Sequence, residues 1–164
     1  SDHAPPPSHR YDPFKESLWR FLGYANEVGE ALRPLVPVSL VWSTYAIAIG
    51  YAAADTYDKA TYEYETTKDI WRATDKGAET AIWQTLASVT VPPFFINRVV
   101  SLTRSTLLQR GMPVSRASGL ASIAGLAAIP VIFKPIDYAT DLFIHHVYHG
   151  LRPKKNDAST SQKH

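Results

Sequence analysis

The 164-residue sequence predicts an all-α protein, a multipass membrane helical bundle of about three spans with amphipathic interfacial helices at both ends. Three observations predict it. The 17 basic and 15 acidic residues are segregated and leave three long charge-free runs. The later two runs carry Pro92, Pro93 and Pro130, which break a water-soluble helix but are tolerated inside membrane bundles. The last run is also a ladder of small residues, the kind that lets helices approach closely where no hydrophobic effect drives them together.

The averages hide this pattern. A mean hydropathy of −0.16 and a net charge of +2 describe an ordinary soluble chain. That charge is too small for a nucleic-acid binder. The absence of cysteine excludes a disulfide framework, thiolate-ligated zinc, iron–sulfur clusters and a cysteine nucleophile.

Taken in order, residues 1–13 read as a disordered lead, without the apolar stretch of a secretory signal or the Arg-rich, acid-poor character of a transit peptide. Asp12 and Pro13 read as an N-cap and a first-turn proline. A single helical membrane domain is expected over 14–151, with a polar tail over 152–164. Its first helix places Phe14, Leu18, Phe21, Leu22, Ala25, Val28 and Leu32 on one stripe. Such a helix before a span is expected to lie in the membrane interface, with Trp19 and Tyr24 near the headgroups.

The spans are expected near 35–54, 81–97 and 117–133. Leu35 to Ala54 is 20 uncharged residues, about 30 Å as a helix, which is the hydrocarbon thickness of a bilayer. Ala81 to Asn97 and Ala117 to Phe133 are 17 each, at the lower limit for a span. Nine of the twelve residues from Ala117 to Ala128 are Ala, Ser or Gly, and Ala117, Ala121 and Gly125 form an i, i+4 ladder. Ala46, Gly50 and Ala54 repeat that spacing. Between the first two spans, Asp55 to Thr80 reads as a solvated helix with Tyr57, Ala60, Tyr64 and Trp71 along one face. After Phe133 a second amphipathic helix, with Ile136, Ala139, Phe143, Val147 and Leu151 on a stripe, is expected to lie on the membrane or to dip in as a re-entrant hairpin.

Candidate chemistry is thin. Asp141, His145 and His149 share a helical face at zinc-ligand spacing, but His146 stands where a metalloprotease needs glutamate, and the group reads as a solvated histidine cluster. There is no Walker A loop, no GxGxxG after a strand and no GxSxG elbow. Pro135-Ile136-Asp137 begins like the Px[DE]xx[KR] signature of mitochondrial carriers, but Thr140 stands where the base belongs. No catalytic residue, cofactor, metal or nucleic acid is therefore expected. Polar residues at span ends, Gln84, Asn97, Arg98, Lys134 and Asp137, are costly in lipid and mark helix contacts. Arg98, Arg104, Arg110 and Arg116 fall in a stretch without acids and read as anchors for anionic lipid.

Three blocks carry a resemblance: RFLGYANEVGEALRPLVP (Arg20 to Pro37), WQTLASVTVPPFFINRV (Trp83 to Val99) and IPVIFKPIDYATD (Ile129 to Asp141). They cover 48 residues, and their order resembles that of the mitochondrial fission process protein 1 family, also called the mitochondrial 18 kDa protein. The resemblance implies a multipass protein of the mitochondrial inner membrane, without catalytic chemistry, that promotes division of the organelle and influences inner-membrane integrity and energy coupling. The partners it implies are inner-membrane lipids, cardiolipin among them, and other inner-membrane proteins. An alternative role is an accessory subunit or regulator docked on a respiratory complex or a nucleotide carrier. The family offers no active-site residues to carry over. The matched positions Gly23, Tyr24, Asn26, Glu27, Gly29, Glu30, Trp83, Gln84, Asn97, Arg98, Pro130, Pro135, Asp137 and Asp141 are expected packing or partner contacts.

Overall fold

The computed structural model describes residues 11–16 and 18–150, which form helices and turns without a strand. The lead before Tyr11, the tail and Leu151 lie outside the described residues. A short helix α1 (Pro13–Glu16) and a 3-10 helix (Leu18–Tyr24) lead into α2 (Ala25–Leu32). Asp12 caps α1 by accepting from the Phe14 amide at 3.0 Å. Three long rods follow. The first is α3 (Val38–Thr67). The second runs from α4 (Ile70–Gln84) through a π-helical segment (Thr85–Thr90) into α5 (Val91–Gln109). The third is α6 (Val114–Phe143), ending in a π-helical turn (Ile144–Tyr148).

The packing follows from where the rods turn. Lys68 adopts a left-handed conformation (φ 55°) and Asp69 caps α4 by accepting from the amides of Trp71 and Arg72, so α4 folds back on α3. The expected solvated helix over 55–80 is therefore a helical hairpin, and Trp71 lies on a different helix from Tyr57 and Tyr64. At the other end, Gly111 (φ 80°) closes a Schellman turn. Its amide donates to the Leu108 carbonyl and the Met112 amide donates to Leu107, returning α6 along α5. The second rod thus pairs with α3 along its first half and with α6 along its second. Helix α2 touches α3, α5 and α6 and joins the two hairpins.

Two helices, Ile70–Gln109 and Val114–Tyr148, are long and apolar enough to cross a membrane by length and composition. The first charge-free run falls short among the described residues. Pro37 sits at the N-cap of α3, so only the 17 residues from Val38 to Ala54 are both helical and uncharged, and the rest of α3 is polar. The expected separate helix after Phe133 is instead the continuation of α6, which runs through Pro130 and Pro135 without turning back.

Burial in this bundle runs opposite to that of a water-soluble one. Beside Val41, Ile96, Val100, Ile136 and Ile144, the interior holds small and polar residues: Asn26, Glu27, Glu30, Asp55, Gln84, Ser88, Ser118, Ser122, Ala117 and Ala121. Large apolar side chains point outward, among them Trp42 (64% exposed), Ile123 (63%) and Val131 (71%). The apolar cluster at the meeting of α2, α5 and α6 is correspondingly small, built on Ala31, Ile96, Val100 and Ala121. Helix α2 shows the inversion most plainly. Its polar face is buried and Val28 is exposed, so it docks into the bundle with the orientation opposite to that expected of an interfacial helix.

Close approach of α2 to α3 depends on Gly29, where a β-carbon would collide with Oγ1 of Thr44. That hydroxyl is itself fixed by donation to the Val41 carbonyl at 2.6 Å. Gly50 on the outer side of α3 has nothing within 4 Å of an added β-carbon. Gly29→Ala should therefore cost about 1–3 kcal/mol through overpacking. Gly50→Ala should stabilise α3 by roughly 0.5–1 kcal/mol. Thermal unfolding of the two variants in detergent, followed by circular dichroism, checks the pair.

Candidate functional site: a polar centre around α2

Pro92 and Pro93 are fully buried at the start of α5 and have no amide hydrogen. In an unbroken α-helix residues 92 and 93 would donate to the carbonyls of Ser88 and Val89. The side-chain amide of Asn26 donates to both of these carbonyls, at 3.0 and 3.2 Å. Its own Oδ1 accepts from the Glu27 amide at 3.1 Å. One side chain of α2 thus closes the gap that two prolines open in the neighbouring rod.

A second node forms one turn along α2. Glu30 is buried and accepts from four donors: Nε and Nη2 of Arg33 at 2.7 and 2.6 Å, the Tyr45 hydroxyl at 2.9 Å and Nδ2 of Asn97 at 2.8 Å. Burial pushes this carboxyl up, but the hydrogen bonds from Arg33, Asn97 and Tyr45 outweigh it and hold Glu30 below the usual carboxylate range. The node ties α2 to α3 and α5.

The third node centres on Asp55, which accepts from Nε2 of Gln84 at 2.5 Å and pairs with Lys59. Lys59 also reaches Asp12 at 3.2 Å, and Oγ of Ser88 donates to Oε1 of Gln84 at 2.8 Å. Through Ser88 this chain meets Asn26. This third node forms one wall of a cleft of about 500 Å³, with Arg20, Tyr24, Lys76, Asp137 and Asp141 around the rest of it.

The expected contact positions divide clearly. Asn26, Glu30, Gln84 and Asn97 are brought to one centre, and Glu27 is buried beside them without joining a node. Gly23 lies against the ring of Tyr51, and Tyr24 stacks on Phe133 with ring centroids 4.2 Å apart. Nε1 of Trp83 donates to Asp141 at 2.7 Å, and Asp137 lines the cleft. Pro130 and Pro135 are exposed on the outer side of α6 and join none of these nodes. The four arginines do not form one patch either. Arg98 is exposed with its guanidinium 5.2 Å from the Phe94 ring, and Arg104 donates to Oγ of Ser118 at 3.0 Å. Arg110 and Arg116 are exposed on either side of the turn. From Arg98 to Arg110 the helix rises about 18 Å. Of the metal-spaced residues, Asp141 is engaged by Trp83 and His149 stands 3.7 Å from Glu79.

Sequence reading missed Asp55 and Tyr51. Asp55 closes the first charge-free run and has Lys59 four residues on, a spacing that signals a pair, but in the sequence it reads as part of a solvated face. Tyr51, whose hydroxyl donates to the Phe14 carbonyl, left no signal beyond its place in an apolar run.

Because Glu30 is held below its unfolded value, its contribution to stability is present above the unfolded carboxylate pKa, about 4.3, and is lost as pH falls through the folded value. The stability advantage of the native chain over Glu30→Gln should therefore be constant from neutral pH down to about 5 and shrink below about 4. Chemical denaturation of both chains across that range measures it.

Comparison with known proteins bears on the whole chain. The profile of the family described as "Mitochondrial 18 KDa protein (MTP18)" matches residues 7–76. A Homo sapiens protein named Mitochondrial fission process protein 1 is 36% identical over 155 residues, 92% of this chain and 93% of the relative. Proteins of the same name from Caenorhabditis elegans and Danio rerio are 41% and 40% identical, over 77% and 81% of this chain and 80% and 84% of theirs. No solved structure matches. With three such relatives aligned over most of their length, the chain belongs to the mitochondrial fission process protein 1 family.

Proposed function

We propose that this chain is a non-catalytic, multipass protein of the mitochondrial inner membrane that promotes mitochondrial division. It acts through lipid and protein contacts and thereby influences inner-membrane integrity and energy coupling. The name its relatives carry supports the role in fission. The observation that carries the membrane part is the inverted burial. Carboxyl, amide and hydroxyl groups share the interior with alanine and a few branched side chains, while Trp42, Ile49, Phe94, Leu102, Ile123 and Val131 cover the outside. In water that arrangement forfeits the hydrophobic effect, and in lipid it is the one that minimises exposed polar groups.

In this reading Ile70–Gln109 and Val114–Tyr148 cross the bilayer, and the charge-free part of α3 crosses beside them as a third span. The 3-10 helix, with Leu18, Trp19 and Phe21 exposed, sits at the interface. Arg110 and Arg116, exposed at the α5–α6 turn, contact anionic headgroups there, cardiolipin among them. Arg98 and Arg104 are weaker candidates because one lies a dozen residues from the turn and the other is engaged by Ser118.

Alkaline carbonate extraction of mitochondria tests the membrane reading: the protein should stay in the membrane pellet, and release into the supernatant would contradict it. Arg110→Gln with Arg116→Gln should weaken flotation with cardiolipin-containing vesicles several-fold and leave phosphatidylcholine vesicles unaffected. Equal flotation by parent and variant would remove the lipid contact from the account. Native electrophoresis separates a free or self-associated protein from a subunit that migrates only with a respiratory complex.

A further inference from the structure

Glu27 is the carboxyl that the polar centre leaves out. It is fully buried (0% exposed), and neither carboxyl oxygen has a hydrogen-bond partner among the described residues. Its neighbours on the same face, Asn26 and Glu30, are fully engaged. An ionised carboxylate in such a place has lost its water and gained no donor, so the neutral acid is the form that fits.

The surroundings bear this out element by element. On α6, Phe133 is stacked by Tyr24, and one turn further Asp137 lines the cleft and acts on Glu27 as a like charge. Lys134 is exposed. On the 3-10 helix, Arg20 donates to the Tyr24 hydroxyl at 3.4 Å and feels the charge of Asp137. On α3, Asp55 and Lys59 neutralise each other and the Tyr51 hydroxyl is given to Phe14. On α5, Asn97 serves Glu30 and Arg98 lies over Phe94. On α2 itself, Arg33 is taken by Glu30. Among the described residues no cation on a packed element serves Glu27.

We propose that Glu27 is a proton-binding site built into the seam between α2 and α6, that its proton is held only while α2 is docked, and that release of the proton opens the seam toward the cleft. The proton leaves to water entering from the cleft, and the carboxylate that remains is hydrated there. Burial first, and the like charge of Asp137 second, push the Glu27 carboxyl up to about 8. The sign follows from linkage. Below the unfolded value, about 4.3, the group is neutral in both states and imposes no penalty. The docked form then loses stability as pH rises to about 8 and changes no further above it. The proposal concerns the bundle itself and holds in detergent micelles as in a bilayer, so it stands or falls separately from the membrane reading.

Infrared difference spectroscopy of the full chain in neutral detergent, parent against Glu27→Gln, tests the site. A protonated-carboxyl stretch belonging to Glu27 should be present at pH 7 and vanish with a midpoint near pH 8. Its absence at pH 7, or a midpoint in the ordinary carboxylate range, overturns the proposal. Asp137→Asn should move that midpoint to lower pH, and an unmoved midpoint would contradict the geometry; this arm also serves if Glu27→Gln does not fold. Hydrogen exchange over Ala25–Leu32, corrected for the intrinsic pH dependence, should rise between about pH 5 and pH 8 and level off above that in the parent, and stay flat in Glu27→Gln. An equal rise in both overturns the opening of the seam.

Discussion

Two adjacent prolines inside a long helical rod leave two carbonyls without donors, and in a buried position each such carbonyl costs as much as a lost hydrogen bond. The rest of the bundle is arranged around meeting that cost. Asn26 must reach Ser88 and Val89, so α2 must lie against the π-helical segment that precedes Pro92. With α2 placed there, Glu30 falls between Tyr45 of α3 and Asn97 of α5, and Gly29 must be bare to let α3 approach. The change of partner along the second rod, from α3 to α6, takes place at the same point.

A bundle held by such contacts differs from one held by an apolar core. Its apolar cluster is built mainly from alanine and a few branched side chains, too little to drive folding in water. Amide, carboxylate and hydroxyl groups carry the specificity instead, and each is engaged by a defined partner except Glu27 and Ser122 among the described residues. Such networks leave few alternatives for how helices pack, because a half-satisfied network is worse than none. The unengaged carboxyl at the α2–α6 seam is therefore the place where the docking of α2 is open to adjustment.

The sequence made some of this legible and hid the rest for identifiable reasons. Charge segregation exposed the helical class, and the blocks around Asn26, Gln84 and Asn97 marked residues that the fold gathers at one centre. Periodicity located the apolar stripe of α2 but could not say which side faces inward, because a 3.6-residue period is the same whether the apolar face meets a core or lipid. Charge also misplaced the rod boundaries. Helices run through charged residues where a pair or cap accepts them, as Asp55 with Lys59 does within α3, whereas the break at Lys68 and Asp69 falls inside the run from Tyr51 to Lys76, which holds neither glycine nor proline. The hairpin there rests on a left-handed lysine, a conformation that composition does not announce.

The central claim is that the Asn26 side chain substitutes for the amide hydrogens that Pro92 and Pro93 lack. A double-mutant cycle measures this directly, comparing the stability cost of Asn26→Ala in the native chain with its cost where Pro92 and Pro93 are both alanine. In the second background the helix supplies its own donors to Ser88 and Val89. The account predicts that the cost of losing Asn26 falls there by about 1–2 kcal/mol. An equal cost in both backgrounds would mean that Asn26 holds α2 in place for some other reason, and would contradict the account.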